Sequence, residues 1–334
     1  MRSIVASAPG RCGIVGNPTD IYGGCVLSCT VQERATCRLS EAADGFTIDN
    51  DGEAAILRTA DDLRLRGDKL DVARAALTFF EIDPASIGLT ISLGTEIPMR
   101  AGMAGSTALL AAIVGALDAW FGWNRNPYAL AEATRKIEAR VMRVLCGLQD
   151  QHMAVFGGLN FMDFAGKEQL EQRDDEPLAT IEPLGMLLPD PPLLLAHTGI
   201  EHDSGKVHTS PRERWLQGEP LVRESYMRIA QLARRGKRAL VEKDWPTLGA
   251  LMNENHALVA ELGGSGPEND RLIAAAREAG AWGAKLAGAG GGGTIIALTD
   301  KPEQVGAALK AAGAERLLVP RPMPGLTRTA GGMP

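Results

Sequence analysis

Basic residues are in deficit: 35 Lys and Arg stand against 41 Asp and Glu, a net charge of −6. That argues against a nucleic-acid binder driven by phosphate neutralisation. A small anion needs only a local site and stays open. Cysteine is sparse and odd in number: Cys12, Cys25, Cys29, Cys37 and Cys146. Most sit in apolar segments and read as buried thiols of a reducing, cytoplasmic compartment, not as a disulfide framework. Cys25 and Cys29 lack a second pair at metal spacing, so zinc is not expected. Long apolar runs are missing too. The N-terminus reaches Pro9 and Gly10 before any run long enough for a signal peptide. The longest apolar stretch, Thr107 to Leu117, is too short for a membrane span. His152, His197, His202, His208 and His256 show no metal-ligand spacing. There is no GxSxG elbow, no GxxxxGK(S/T) P-loop and no protein-kinase catalytic loop. A hydrolase and the commonest phosphate-binding motifs are therefore without support.

Apolar residues make up 45% of the chain, enough to offset the entropy of ordering, so a folded globular protein is expected. At 334 residues the chain exceeds what one core usually serves, which predicts two domains. Glycine is abundant, with 39 residues against 15 aromatics, and has no every-third period. Collagen is excluded, and such use of glycine suggests backbone that must approach something closely. The pattern predicts strands at 3–7, 25–39, 87–93, 159–164, 193–197, 282–287, 294–299 and 315–319. It predicts helices at 70–80, 106–121, 126–144, from about 149, and at 221–237, 246–261, 268–279 and 302–312. Residues 166–192 are polar and rich in proline and read as a domain junction. The expected organisation is an N-terminal domain over 1–170, a C-terminal domain over 190–320 and a flexible tail over 321–334.

Four segments carry candidate chemistry. Ala8-Pro9-Gly10-Arg11-Cys12-Gly13-Ile14-Val15-Gly16-Asn17-Pro18-Thr19-Asp20 places a cation, Arg11, and an anion, Asp20, on turn-forming backbone. Alone it could be a decorated hairpin. The second segment is Pro98-Met99-Arg100-Ala101-Gly102-Met103-Ala104-Gly105-Ser106-Thr107, small residues opening an apolar helix. Free backbone N–H groups and the positive helix end can converge there on an anion, and Ser106 and Thr107 add hydroxyls. The third, Gly288-Ala289-Gly290-Gly291-Gly292-Gly293, matches a dinucleotide fingerprint at Gly288, Gly290 and Gly293. It precedes a strand instead of opening a helix, so a Rossmann fold is rejected. Fourth, Glu138 on a helix and Asp150 just past Cys146-Gly147 could converge, one holding a metal and the other a hydroxyl.

The three loops, in this order and with the PxxxGxxxS pattern of Pro98 to Ser106, resemble those of the GHMP kinases over nearly the whole chain. The resemblance implies an α+β fold of two domains. The N-terminal one would be like domain 2 of ribosomal protein S5 and the C-terminal one ferredoxin-like, with ATP in the cleft between them. Cys146-Gly147-Leu148-Gln149-Asp150-Gln151 is similar to the acidic segment of the sugar 1-kinase branch. The resemblance makes Asp150 and Arg11 catalytic, and Ser106 and Glu138 ligands of Mg²⁺. Pro98, Ala101, Gly102, Met103, Ala104, Gly105, Ser106 and Thr107 would form the ATP-phosphate loop. The Gly-Glu-His-Thr-Asp of galactokinases is replaced here by Gly16-Asn17-Pro18-Thr19-Asp20, which turns the resemblance from galactose toward glucuronokinase. So does Asp203-Ser204-Gly205-Lys206-Val207-His208, continuing to Arg214-Trp215-Leu216. Asn17, Thr19, Asp20, Tyr22, Lys206, His208, Arg214, Gly290 and Gly291 would bind the sugar. The basic cluster of Lys206, His208, Arg212 and Arg214 could meet a sugar carboxylate or ATP phosphates. The implied activity is ATP-dependent phosphorylation of an anomeric hydroxyl, with D-glucuronate first among acceptors. Galacturonate, arabinose, a heptose, a neutral hexose and a non-sugar alcohol remain alternatives, as does a non-catalytic sensor on the same fold. The expected partners are a sugar and ATP, with no nucleic acid and no membrane, in a monomer or homodimer.

Overall fold

The protein is described by a computed structural model over residues 2–43, 45–98, 101–167, 175–186, 188, 190–199, 211–288 and 293–330. It begins with two long antiparallel strands, β1 (Ser3–Val15) and β2 (Cys25–Glu41). β1 does not end at residue 7 as the pattern suggested, but runs on through the first glycine motif. Its pairing with β2 slips between Pro9 and Arg11 and again between Gly13 and Val15. Such bulges bend a strand and re-aim its side chains, and here Arg11 lies between the two slips. Residues 25–31 of β2 are buried on both faces, whereas 32–41 largely alternate. The buried half is covered by elements of both domains, so it cannot show the period-2 signal of a half-exposed strand.

The N-terminal sheet runs from residues 327–330 through β1, β2, residues 89–95 and residues 46–50 to residues 53–57, with β6 (Leu159–Asp163) and β7 (Thr180–Pro183) extending it from β2. β3 (Phe46–Asn50) and β4 (Glu53–Leu57) form a hairpin absent from the sequence reading. Its turn is Asp51-Gly52, both at positive φ (53° and 83°), a recognisable two-residue hairpin signal. β3 pairs in parallel with β5 (Leu89–Thr95). α1 (Asp71–Phe79) and α3 (Pro127–Lys136) pack on α2 (Gly105–Phe121), and α2 and α4 (Gln149–Phe156) pack on this sheet. Asn126 caps α3 by accepting from Ala129 N at 2.9 Å, with Pro127 in the first turn.

The second sheet has the order β11-β8-β10-β9, built from β8 (Leu193–His197), β9 (Gly283–Leu286), β10 (Thr294–Leu298) and β11 (Arg316–Leu318). In chain order this is 4-1-3-2, the ferredoxin-like arrangement. Its helices are α5 (Pro220–Val241), α6 (Trp245–Glu261), α7 (Pro267–Glu278) and α8 (Pro302–Ala311). α5 and α6 also pack on β1, so the two domains share a continuous apolar core.

Two boundaries need correction. β7 lies inside the stretch read as a junction, so the N-terminal sheet extends past residue 170. The stretch read as a flexible tail is also part of that sheet: β12 (Thr327–Ala330) pairs antiparallel with β1. Leu326 packs over Gly115 of α2, where a Cβ would lie 2.6 Å from its side chain. Arg328 donates to the buried Asp118 of α2 at 2.5 Å, and Arg34 donates to the carbonyls of Pro324 and Gly325. A tail with three prolines and three glycines carries little local pattern, and its partners lie far away in sequence, from Gly158 back to Ile4. Residues 331–334 lie outside the described residues. Deleting 321–334 is expected to lower unfolding stability by about 3 kcal/mol or more, since it uncovers apolar surface and removes a partner of a buried carboxylate. Chemical denaturation checks this, and an unchanged midpoint would mean the segment merely rests on the surface.

Candidate active site

The centre of the site is a fork. Arg11 is 5% exposed, and its Nε and Nη2 donate to the two oxygens of Asp150 at 2.7 and 2.9 Å. Its Nη1 donates to Gly102 O at 2.5 Å, and its backbone N to Met103 O at 3.1 Å. One residue thus joins the first loop, the second loop and the acidic segment. Asp150 itself keeps 24% of its side chain exposed, so a hydroxyl can still reach it.

Asp150 lies in the first turn of α4, and Asp20 sets that turn. Oδ2 of Asp20 accepts from Leu148 N at 2.7 Å and Gln149 N at 2.9 Å, capping the helix from across the fold. Gly147 makes this possible, because a Cβ there would collide with Asp20 Oδ2. Asp20, expected at the sugar, is buried and helps to orient the aspartate that faces it.

Glu138 was expected on a regular helix running to 144. Instead α3 gives way to a π turn, Ile137–Val141, with Met142 N bonded to Ile137 O, and the chain reverses at Arg143 (φ 56°). A widened turn of this kind shifts a side chain sideways and is frequent at functional sites. Glu138 is buried, accepts from Thr107 Oγ1 at 2.7 Å and accepts a short bond from Gln151 Nε2. Burial pushes its carboxyl up to about 7, against these two hydrogen bonds, and the charge of Asp150 pushes the same way. Glu138 is thus a carboxylate at the limit of ionisation, with both oxygens still able to accept another interaction. A divalent cation held by hard oxygen ligands fits that need. The hydroxyl brought to Glu138 is that of Thr107, whereas Ser106 stands exposed at the start of α2. The described residues contain no group of three or more acidic, His or Cys side chains that could hold a metal. Any Mg²⁺ would therefore depend largely on phosphate and water.

The second loop enters α2 through Ala104 in the left-handed conformation (φ 61°), after Gly102 at φ 74°. No side chain caps this end, which leaves its N–H groups available to an anion. Ala101 and Met103 point into the core at 1% exposure, so they can offer only backbone. Arg11 holds the carbonyls of Gly102 and Met103, which would otherwise repel a phosphate. The third loop sits on the second: a Cβ on Gly288 would lie 2.7 Å from Gly102 O. Met99, Arg100 and residues 289–292, with the expected Gly290 and Gly291, lie outside the described residues, as do Lys206 and His208.

Several residues expected at the sugar have other partners. Asn17 donates to Gly288 O and accepts from Lys285 Nζ at 2.7 Å. Thr19 Oγ1 donates to Gly16 O at 2.8 Å or Cys25 O at 3.1 Å. Arg214 forks Glu219 at 2.7 and 2.6 Å within its own segment. These three position loops, and their polar atoms are engaged before any sugar arrives. Tyr22 stacks on Tyr226 and tilts against Trp215, each with ring centroids 4.5 Å apart. Gln151, Lys285 and Asn255 were missed by the sequence reading. Asn255 of α6 accepts from Gly16 N at 2.8 Å and donates to Asn17 O at 3.2 Å. Gln151 had a local signal, its place beside Asp150; Asn255, on a distant helix, had none.

The two-domain fold, with a glycine loop opening the uncapped α2, is that of a small-molecule phosphotransferase. Family models agree: residues 71–158 match the GHMP kinase N-terminal domain and residues 237–315 the GHMP kinase C-terminal domain. The chain belongs to the GHMP kinase family. It is 30% identical to probable glucuronokinase 2 of Arabidopsis thaliana, over 88% of this chain and 84% of that protein. It is 26% identical to the mevalonate kinase of Thermococcus sibiricus, over 93% of both chains. Among solved structures, a Lactococcus lactis galactokinase complexed with galactose superposes with a TM-score of 0.77. That match is at 19% identity and covers 97% of this chain and 95% of the other. GHMP kinases use ATP, so ATP is the implied phosphoryl donor. Among the described residues no helix is long and apolar enough to cross a membrane.

The raised Glu138 gives a stability signature. The folded protein holds a proton on it that the unfolded chain has released, so its contribution to stability falls as pH rises from about 4.5 to 7. Glu138→Gln is expected to remove this fall, leaving the variant more stable than wild type above pH 7 by up to about 3 kcal/mol. Denaturation of both proteins across pH, without divalent metal, checks it; parallel curves would contradict the burial of this charge.

Proposed function

We propose that the protein is an ATP-dependent sugar 1-kinase and that its acceptor carries a carboxylate, with D-glucuronate first. The observation that carries the reading is the Arg11–Asp150 fork, which holds one carboxylate at fixed angle beside an uncapped helix start. Phosphoryl transfer requires mainly positioning and charge stabilisation. Asp150 accepts a hydrogen bond from the acceptor hydroxyl and takes its proton as the phosphoryl group departs from ATP. Arg11 orients Asp150 and offers its buried guanidinium charge to the transferring group. The N–H groups of Gly105, Ser106 and Thr107 receive phosphate oxygens. Glu138, with Ser106, would hold Mg²⁺, which when bound neutralises charge on those oxygens. Thr107 and Gln151 keep the Glu138 carboxylate in place.

The names of the two kinds of relative, glucuronokinase and mevalonate kinase, share one feature: each acceptor is a hydroxy acid. The comparable mevalonate kinase similarity makes mevalonate the second candidate. ATP and Mg²⁺ with glucuronate, galacturonate, glucose and mevalonate, read as ADP release and sugar 1-phosphate, separate them. Turnover of glucuronate but not glucose supports the proposal, and turnover of mevalonate alone overturns the sugar reading. Asp150→Asn is expected to reduce turnover at least about 1,000-fold while ATP still binds. Near wild-type activity would remove Asp150 from the chemistry. Glu138→Gln is expected to shift the Mg²⁺ titration to higher concentration, and an unchanged titration would count against it as a ligand.

A further inference from the structure

Among the described residues, five Arg and Lys are buried to 5% exposure or less: Arg11, Arg74, Arg135, Lys167 and Lys285. Four have carboxylates. Arg11 has Asp150, Arg74 has Asp68 and Asp71, and Arg135 and Lys167 share Glu132 and Glu176. Lys285, 1% exposed, is the exception among the described residues. Its Nζ donates only to neutral acceptors: Asn17 Oδ1 at 2.7 Å, Leu286 O at 2.5 Å and Gly13 O at 3.3 Å. A buried ammonium without a counter-charge is costly.

Its position suggests what offsets that cost. Lys285 is three residues before Gly288 and grips Asn17, which in turn donates to Gly288 O. Gly288 rests on Gly102, and Gly13 N donates to Ala287 O at 2.7 Å. The ammonium therefore lies between the first glycine segment and the strand that leads into the third loop, whose Gly288 rests on the second. We infer that Lys285 is the buried cation of the phosphate site, its charge completed by the polyphosphate that the loops receive, so that nucleotide binding and protonation of this lysine are coupled. This rests on the nucleotide reading above.

The electrostatics around Lys285 agree. Burial lowers its pKa to about 7; the Cys12 side chain opposes that fall and the like charge of Arg11 adds to it. His256 of α6 also feels Lys285: burial first, then the charges of Lys285 and of Arg277 from α7, lower its pKa to about 4 against the pull of Asp270 3.3 Å away, so it is uncharged at neutral pH. Without nucleotide, Lys285 is thus poised to lose its proton around neutrality, and a bound polyanion would restore it.

The test is calorimetric titration of the full-length protein with ATP, without divalent metal, in buffers of different ionisation heat over about pH 7.5–8.5, where ATP no longer titrates. Wild type is expected to take up close to one proton, with affinity falling up to about tenfold per pH unit. Lys285→Gln keeps a neutral donor; it is expected to bind ATP at least about tenfold more weakly at pH 7 and to lose both the uptake and the slope. Glu138→Gln is expected to retain both, which assigns the proton to Lys285 even if Lys285→Gln does not fold. Equal uptake in Lys285→Gln, loss of uptake in Glu138→Gln, or tight wild-type binding with no uptake would each overturn the coupling. A wild-type protein that binds no ATP would instead overturn the nucleotide reading on which it rests.

Discussion

A bidentate Arg–carboxylate pair fixes two planar groups relative to each other, and a third bond from the same guanidinium fixes a loop. Arg11 does this with Asp150 and Gly102 O. The acidic segment, the phosphate loop and the bulged strand are consequently one rigid unit. If Arg11 were displaced, Asp150 would lose its orientation, the carbonyls of Gly102 and Met103 would be freed to face an incoming phosphate, and β1 would lose the side chain that its two pairing slips deliver. Asp20 and Gly147 serve the same unit from behind by starting α4 where Asp150 needs it.

Charge around this unit is unevenly balanced. Glu138 is a buried anion raised toward neutrality, and Lys285 is a buried cation lowered toward it. Each is stabilised by neutral hydrogen-bond partners and neither has a counter-ion among the described residues. On the proposed reading, a metal nucleotide would supply the complement of both: a divalent cation for the glutamate and a polyanion for the lysine. The excess of acidic residues in the whole chain is therefore no obstacle to anion binding, which is governed by these local groups and by helix N–H dipoles.

Much of the fold was legible because local patterns report burial where one face meets solvent. Helices α1 to α8 fall within a few residues of their expected spans, save that α3 closes early in the π turn. The hairpin Asp51-Gly52 carried a signal that was overlooked. The strand β12 carried almost none, since four exposed residues acquire meaning only against β1. The loop motifs were legible as glycine patterns. Which side chains they present was not: Asn17, Thr19 and Arg214 looked like sugar ligands, but their polar atoms are engaged by Lys285, Gly16 and Glu219.

By itself the sequence determined the order of the eight helices and of most strands, the three glycine loops, the pairing candidates Arg11 and Asp150, and the family. All of these depend on residue type and spacing along the chain. Only the tertiary structure decided that Asp20 caps the helix of Asp150, that Thr107 and Gln151 hold Glu138, that the C-terminal segment braces α2, and that Lys285 stands buried without a carboxylate among the described residues. Each is a contact between residues far apart in sequence, made by close packing that leaves no local periodicity to read.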